Sequence, residues 1–246
     1  MTRLLLPSRT PAGTVPALTA AGYEVTEVAF TTQAALPLDE LSAALAEPWD
    51  WLVVTSAATA PALASVGLPT TIRVGAVGSA TANSLVAHGI EVALVADPGG
   101  GAALVAAFPP GPGRVLLPGA AEPSAEPARG LQARGWTVRP VAVYRTEPVE
   151  VAPDVIAHWQ AGNFDAFVVT AGSVARAAVH AAGLPGPPVI ALGNPSAAAA
   201  RDCGLVVAGV AGSPDAPGLL AAIRSWRRSD ATPCVRSLSP TAHPAP

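Results

Sequence analysis

The chain repeats itself. Asp50-Trp51-Leu52-Val53-Val54-Thr55 matches Asp165-Ala166-Phe167-Val168-Val169-Thr170 at an offset of 115 residues, and the same offset pairs Gly78 with Gly193 and Gly89 with Gly204. A second pair of segments also matches: Arg3-Leu4-Leu5-Leu6-Pro7 with Arg114-Val115-Leu116-Leu117-Pro118, and Gly22-Tyr23 with Gly135-Trp136. The order is therefore A, B, A′, B′, with A over residues 3–33 and B over residues 50–108. A repeat of this kind predicts two similar units rather than one continuous core. Two pairings satisfy it. Either A joins B and A′ joins B′, or B and A′ form a contiguous domain inserted between A and B′.

Within each unit, short apolar runs alternate with alanine-rich, helix-compatible stretches, the pattern of an α/β fold with parallel strands. The predicted strands are 3–7, 23–30, 50–55, 72–77, 91–96, 114–118, 136–144, 165–170, 188–192 and 205–208. Several are unbroken apolar runs, as expected of strands covered by helices on both faces. A helix over 38–46 follows Pro37, and a last helix follows Ser213-Pro214-Asp215, with Leu219, Leu220, Ile223 and Trp226 as its buried stripe. Residues 227–246 carry four prolines and little apolar material, and read as a disordered tail. Tyr23–Gln33 and Trp136–Pro148 are longer than an ordinary strand of about 5–6 residues, and are expected to run on from a sheet into an interdomain linker.

Composition removes whole classes of function. All 14 basic residues are arginine, which excludes lysine Schiff-base chemistry and the phosphate-binding loop that ends in Gly-Lys. A net charge of −3 argues against a general nucleic-acid binder. Cys203 and Cys234 stand apart with no partner pattern, and His88, His158, His180 and His243 lack zinc-motif spacing, so no metal is expected and the histidines read as surface or packing residues. No apolar run approaches the roughly 18–20 residues of a membrane span, and Leu4–Leu6 is too short for a signal peptide. The expectation is a cytoplasmic protein with no membrane partner.

In an open parallel sheet, ligands gather beyond the carboxyl ends of the strands. The segments there are small and hydroxylic: Pro7-Ser8-Arg9, Thr55-Ser56, Gly78-Ser79, Pro118-Gly119, Thr170-Ala171-Gly172-Ser173 and Gly193-Asn194-Pro195-Ser196. Each is read as opening a helix, where unpaired backbone N–H groups and the positive end of the helix dipole attract carboxylates or phosphates without any basic side chain. Plain N-capping explains any single loop. Six on the facing edges of two similar domains point to a wide cleft for a large anion. Tyr144 ends the second extended segment, close to the predicted domain junction. Arg9 and Arg145 are candidates for pairing with carboxylates, whereas Glu122, Glu126 and Glu147 read as solvated surface.

Four segments together resemble the uroporphyrinogen-III synthase family: Val53-Val54-Thr55-Ser56, Val77-Gly78-Ser79-Ala80-Thr81-Ala82, Gly135 with Val141-Ala142-Val143-Tyr144-Arg145-Thr146, and Leu192-Gly193-Asn194-Pro195-Ser196-Ala197. The resemblance covers residues 3–226. It implies two flavodoxin-like, doubly wound domains joined by two extended linker strands, with residues 1–33 and 149–226 as domain 1 and residues 38–144 inserted as domain 2. It further implies a monomeric, cofactor-free lyase acting on hydroxymethylbilane, a linear tetrapyrrole bearing acetate and propionate groups. Tyr144 matches the family's tyrosine proposed to assist hydroxyl departure, and Ser196 stands in place of a threonine in its Gly-x-x-Thr loop. Thr55, Ser56, Gly78, Thr81, Thr170 and Gly193 fall on its cleft-lining positions. Ser79, Ala171, Gly172, Ser173, Asn194, Pro195 and Arg9 join them as candidate substrate-binding residues from the loops read above. Ala58 and Ser124 depart from the polar or basic residues frequent in the family, which leaves more of carboxylate recognition to the backbone. Two other classes fit the same architecture: a hinged anion-binding module without catalysis, and a tetrapyrrole-sensing regulator.

Overall fold

The computed structural model describes residues 1–96 and 99–230. Its strands form two sheets. The first contains β1 (Arg3–Pro7), β2 (Glu24–Val28), β9 (Ala166–Val169), β10 (Val189–Ala191) and β11 (Val207–Val210), in the order β11-β10-β9-β1-β2. The second contains β3 (Thr31–Ala35), β4 (Trp51–Val54), β5 (Arg73–Ala76), β6 (Leu94–Val95), β7 (Gly113–Ala120) and β8 (Trp136–Pro148), in the order β3-β8-β7-β4-β5-β6. Each of the ten predicted strands has a counterpart, but five differ by two residues or more at one end, β8 running on from the predicted 136–144 to Pro148. β6 keeps only two residues, β7 runs on through Pro118-Gly119 to Ala120, β11 begins two residues late, and the stretch Tyr23–Gln33 divides into β2 and β3.

Pairing resolves the ambiguity of the repeat. Leu4 of β1 sits opposite Ala166 of β9, and Val115 of β7 sits opposite Trp51 of β4, so the same repeat positions meet in both sheets. A carboxylate clasps each junction identically. The Arg3 N–H donates to Asp165 Oδ2 at 2.7 Å, and the Arg114 N–H donates to Asp50 Oδ2 at 2.8 Å. Thus A joins B′, and B joins A′. The first sheet has the 2-1-3-4-5 order of a flavodoxin-like fold, and the second has the same spatial order with its chain permuted to start at the third strand. Because the two clasps share no partner, Asp50→Ala and Asp165→Ala are each expected to cost about 1 kcal/mol and to add in the double variant. Urea unfolding of the three variants measures this.

Alternation along the buried strands sets the layers. Leu4, Leu6, Ala166 and Val168 face α1 (Thr14–Ala20) and α10 (Ala216–Asp230), whereas Leu5, Phe167 and Val169 face α7 (Pro153–Gln160), α8 (Gly172–Ala182) and α9 (Asn194–Asp202). In the second sheet, Leu52, Val54 and Leu116 face α2 (Asp39–Leu45), α3 (Ala60–Val66) and α4 (Ser79–Ala87). Trp51, Val53, Val115 and Leu117 face α5 (Gly101–Ala107) and α6 (Ala125–Ala133). Both sheets are therefore doubly wound, with the period-2 side-chain geometry feeding two cores each.

β3 and β8 carry the chain between the sheets. They pair antiparallel, from Thr31 opposite Pro148 to Ala35 opposite Tyr144. Pro140 lies in β8 beyond the reach of β3, where its missing N–H costs no ladder bond. The β7–β8 register shifts between Gly119 and Ala120, whose partners are Ala142 and Tyr144, so Val143 is an extra residue and both Val143 and Tyr144 are buried. At the other end of the chain, α10 is capped by Asp215, whose Oδ1 accepts from the Gly218 N–H at 2.8 Å and the Ser213 hydroxyl at 2.6 Å. It extends past Trp226 to Asp230, so residues 227–230 are helical rather than the start of a disordered tail. Partly buried Trp226 anchors that turn, and Arg227 and Arg228 suit the negative end of the helix dipole. The rest of the predicted tail, 231–246, lies outside the described residues.

Candidate active site

The carboxyl ends of both sheets open on one cleft of about 1400 Å³. From the first sheet come the β9–α8 loop and helix start, Thr170, Ala171, Gly172 and Ser173, and the β10–α9 turn with Gly193, Pro195 and Ser196. From the second come Thr55 and Ser56 after β4, the end of β7 from Leu117 to Ala120, and Ser124 at the start of α6. Tyr144, Arg145 and Thr146 enter from the β3–β8 ribbon, together with Thr31. Ten of the candidate residues therefore share one hollow: Tyr144, Ser196, Thr55, Ser56, Thr170, Ala171, Gly172, Ser173, Gly193 and Pro195.

Five do not line it. Arg9 is exposed in the loop between β1 and α1, and Asn194 and Ser79 are also exposed outside the lining. Thr81 is buried within α4, among the residues that pack that helix. Gly78 is covered by the loop before α5: a Cβ on Gly78 would stand 3.3 Å from the Gly99 Cα. The next two residues of that loop, Gly100 and Gly101, line the cleft instead. Sequence reading assigns no role to the Gly99-Gly100-Gly101 run. It also misses Arg176, His180 and Glu40, and reads Glu122 and Glu126 as solvated surface, yet all five line the cleft. The i, i+4 spacing of Arg176 and His180 was the available signal.

Tyr144 is 9% exposed and packs against the second-sheet core, and among the described residues its hydroxyl has no hydrogen-bond partner. Its ring is held from three sides of the backbone: by the bulge, by pairing with Ala35, and by the Ala121 N–H donating to the Tyr144 carbonyl at 2.8 Å. Ser196 differs. It is 7% exposed, and its hydroxyl donates to the Thr170 carbonyl at 3.0 Å, stapling the start of α9 to the loop before α8. The Ser56 hydroxyl accepts from the Ala58 N–H at 3.3 Å and the Ser124 hydroxyl from the Glu126 N–H at 3.5 Å, so both act as helix caps. Gly172 and Ser173 begin α8, where the first N–H groups have no intrahelical acceptor. Among the described residues, the two carboxyls held below the usual range are outside the cleft: Glu47 by its hydrogen bond from Arg114, and Asp215 by the Ser213 hydroxyl.

The cleft is thus lined by loop backbone, small hydroxyls, a few charged side chains and one buried phenol. The fold is similar to that of a mutant uroporphyrinogen III synthase from the extremely thermophilic bacterium Thermus thermophilus, at a TM-score of 0.59 and 19% identity over 93% of this chain and 100% of that one. It is equally similar to uroporphyrinogen-III synthetase from Helicobacter pylori, at a TM-score of 0.60 and 19% identity over 92% of this chain and 99% of that one. No curated protein matches the chain. The sequence model of the family described as uroporphyrinogen-III synthase HemD matches residues 13–221. With most of its length matched, the chain belongs to the uroporphyrinogen-III synthase family and is an enzyme of tetrapyrrole synthesis.

Proposed function

We propose that the cleft converts hydroxymethylbilane to uroporphyrinogen III as a cofactor-independent lyase, in a cytoplasmic monomer. The observation that carries this reading is the shared hollow. At about 1400 Å³ it exceeds the roughly 300–1,000 Å³ of ordinary small-molecule pockets, and its lining mixes apolar residues with small hydroxyls and a few charged side chains. We further assign residues 1–33 with 149–226 to one domain and 38–144 to the other; this is supported by β1, β2 and β9–β11 sharing one sheet and β4–β7 the other, while residues 31–33 of β3 and 145–148 of β8 belong to the ribbon of the second sheet.

The chemistry asks little of acid or base groups. The terminal hydroxyl leaves an electron-rich pyrrole as water, with the Tyr144 hydroxyl as hydrogen-bond donor to it. The last pyrrole then attacks through its substituted carbon, and the spiro intermediate rearranges so that ring D closes inverted. The demanding part is orientation, because the linear chain also closes unaided to the wrong isomer. Holding it curled, with reacting carbons in contact, is what a two-sided cleft supplies. Gly172 and Ser173 at the start of α8 and the turn at Gly193 bind carboxylates through backbone N–H groups. Ser196 is a positioning residue, fixing the two loops relative to each other.

Purified protein supplied with hydroxymethylbilane is expected to give the type III porphyrin after oxidation. Type I alone, formed at the spontaneous rate, would remove the enzyme reading and leave the binding module.

A further inference from the structure

The cleft is electrically lopsided. Its acidic side chains, Glu40, Glu122 and Glu126, all come from the part of the chain that builds the second sheet. On the ribbon, Arg145 is occupied by an ion pair with Glu147. The remaining basic groups, Arg176 and His180, stand on the opposite wall, on α8. They are four residues apart, so they lie on one side of the helix about 6 Å apart along its axis. Both are exposed, and among the described residues neither forms a salt bridge or side-chain hydrogen bond.

The first of these groups also reaches back along its helix. Arg176 Nη1 lies 3.3 Å from the point a Cβ would occupy on Gly172. The guanidinium therefore folds back along α8 to the Cβ side of Gly172, in the first turn of the helix. A carboxylate there meets main-chain donors and a planar cation together, the geometry in which charge-assisted hydrogen bonds are strongest. One turn on, His180 offers a second donor.

We propose that Arg176 and His180 form a two-point carboxylate clamp that fixes which way round the linear substrate lies, with the acidic wall opposite repelling its arms. The proposal rests on the reading of the cleft as the hydroxymethylbilane site. The spacing suits the acetate and propionate arms carried on neighbouring carbons of one pyrrole. Polarity across the cleft then turns that ring's acid edge toward α8 and leaves its carbon skeleton toward Tyr144.

Steady-state turnover of hydroxymethylbilane by the full chain tests this, with Arg176→Gln, Arg176→Lys and His180→Gln compared against Arg201→Gln, an exposed arginine of α9 outside the cleft. Arg176→Gln is expected to raise KM about tenfold, the value of one charged hydrogen bond, with kcat within about twofold. Lysine at the same position should recover part of the loss, and His180→Gln should raise KM to a smaller extent. Added salt should raise the wild-type KM more steeply than that of Arg176→Gln, and Arg201→Gln should match wild type. If the wild-type protein makes isomer III and Arg176→Gln and His180→Gln leave KM unchanged, the clamp is overturned while the enzyme reading stands. If the wild-type protein makes only isomer I, both fall.

Discussion

Tyr144→Phe is expected to lower kcat for isomer III formation by about 10²-fold, the lower end of what a positioned proton donor contributes, while KM stays near the wild-type value. The substitution removes one oxygen and no carbon. Tyr144 packs against the second-sheet core, and the bulge at Val143 fixes its backbone, so phenylalanine keeps the same ring in the same place. Among the described residues the hydroxyl makes no hydrogen bond, so its removal orphans no protein group. The effect therefore reports on the reaction and not on folding. An independent readout accompanies the rate. As the enzymatic path slows, unaided closure takes a larger share, and the proportion of isomer I in the product should rise. A variant with unchanged kcat would exclude Tyr144 as the donor to the departing hydroxyl.

The largest loss of stability is expected at Phe167. It is fully buried in β9, between β1 and β10, and its ring meets Phe30 at 5.3 Å and Trp159 at 5.4 Å between centroids. Phe167→Ala opens a cavity that these two large neighbours cannot fill without leaving their own positions. The expected cost is about 3–5 kcal/mol, a large share of the roughly 5–15 kcal/mol that holds a domain folded. At about 2–4 °C per kcal/mol for a chain of this size, Tm should fall by about 10 °C. The second sheet has its own aromatic cluster, Trp51, Phe108 and Trp136, which shares no residue with this one. Calorimetry should accordingly place the loss in the part of the transition that belongs to the first sheet. A fall of less than about 1 kcal/mol would mean that the layer around Trp159 closes over the gap.

Much of this architecture could be read from the chain because central strands of a doubly wound sheet are buried on both faces and leave unbroken apolar runs. Leu4–Leu6, Leu52–Val54 and Phe167–Val169 are of that kind. What the repeat could not disclose is which copy meets which, since both pairings bring an arginine-led strand beside an aspartate-led one. The pairing of β1 with β9 and of β4 with β7, each held by its clasp of Asp165 on Arg3 or Asp50 on Arg114, decides it. β3 was hidden for a different reason. Thr31-Thr32-Gln33-Ala34-Ala35 has little apolar content, because it lies at a sheet edge and is half-buried or exposed throughout. In the cleft, the residues at strand ends were legible from Thr55, Thr170 and Gly193, which sit where any parallel sheet gathers its loops. Arg176 and His180 were legible only as an i, i+4 pair and not as cleft residues. Their role depends on which side of α8 faces the other sheet, and no local pattern encodes that.

Because the second sheet is inserted between β2 and β9, the first sheet cannot be completed until late in synthesis. β1 is synthesised first, but its neighbour β9 begins at residue 166, after the whole of the second sheet has been completed. Strands β3 to β8 can therefore associate while β1 and β2 wait without their central partner. Contacts closed over so long a loop form late, and translation adds residues at only about 5–20 per second. The apolar segment Leu4-Leu5-Leu6 thus waits several seconds on the ribosome for β9, its central partner.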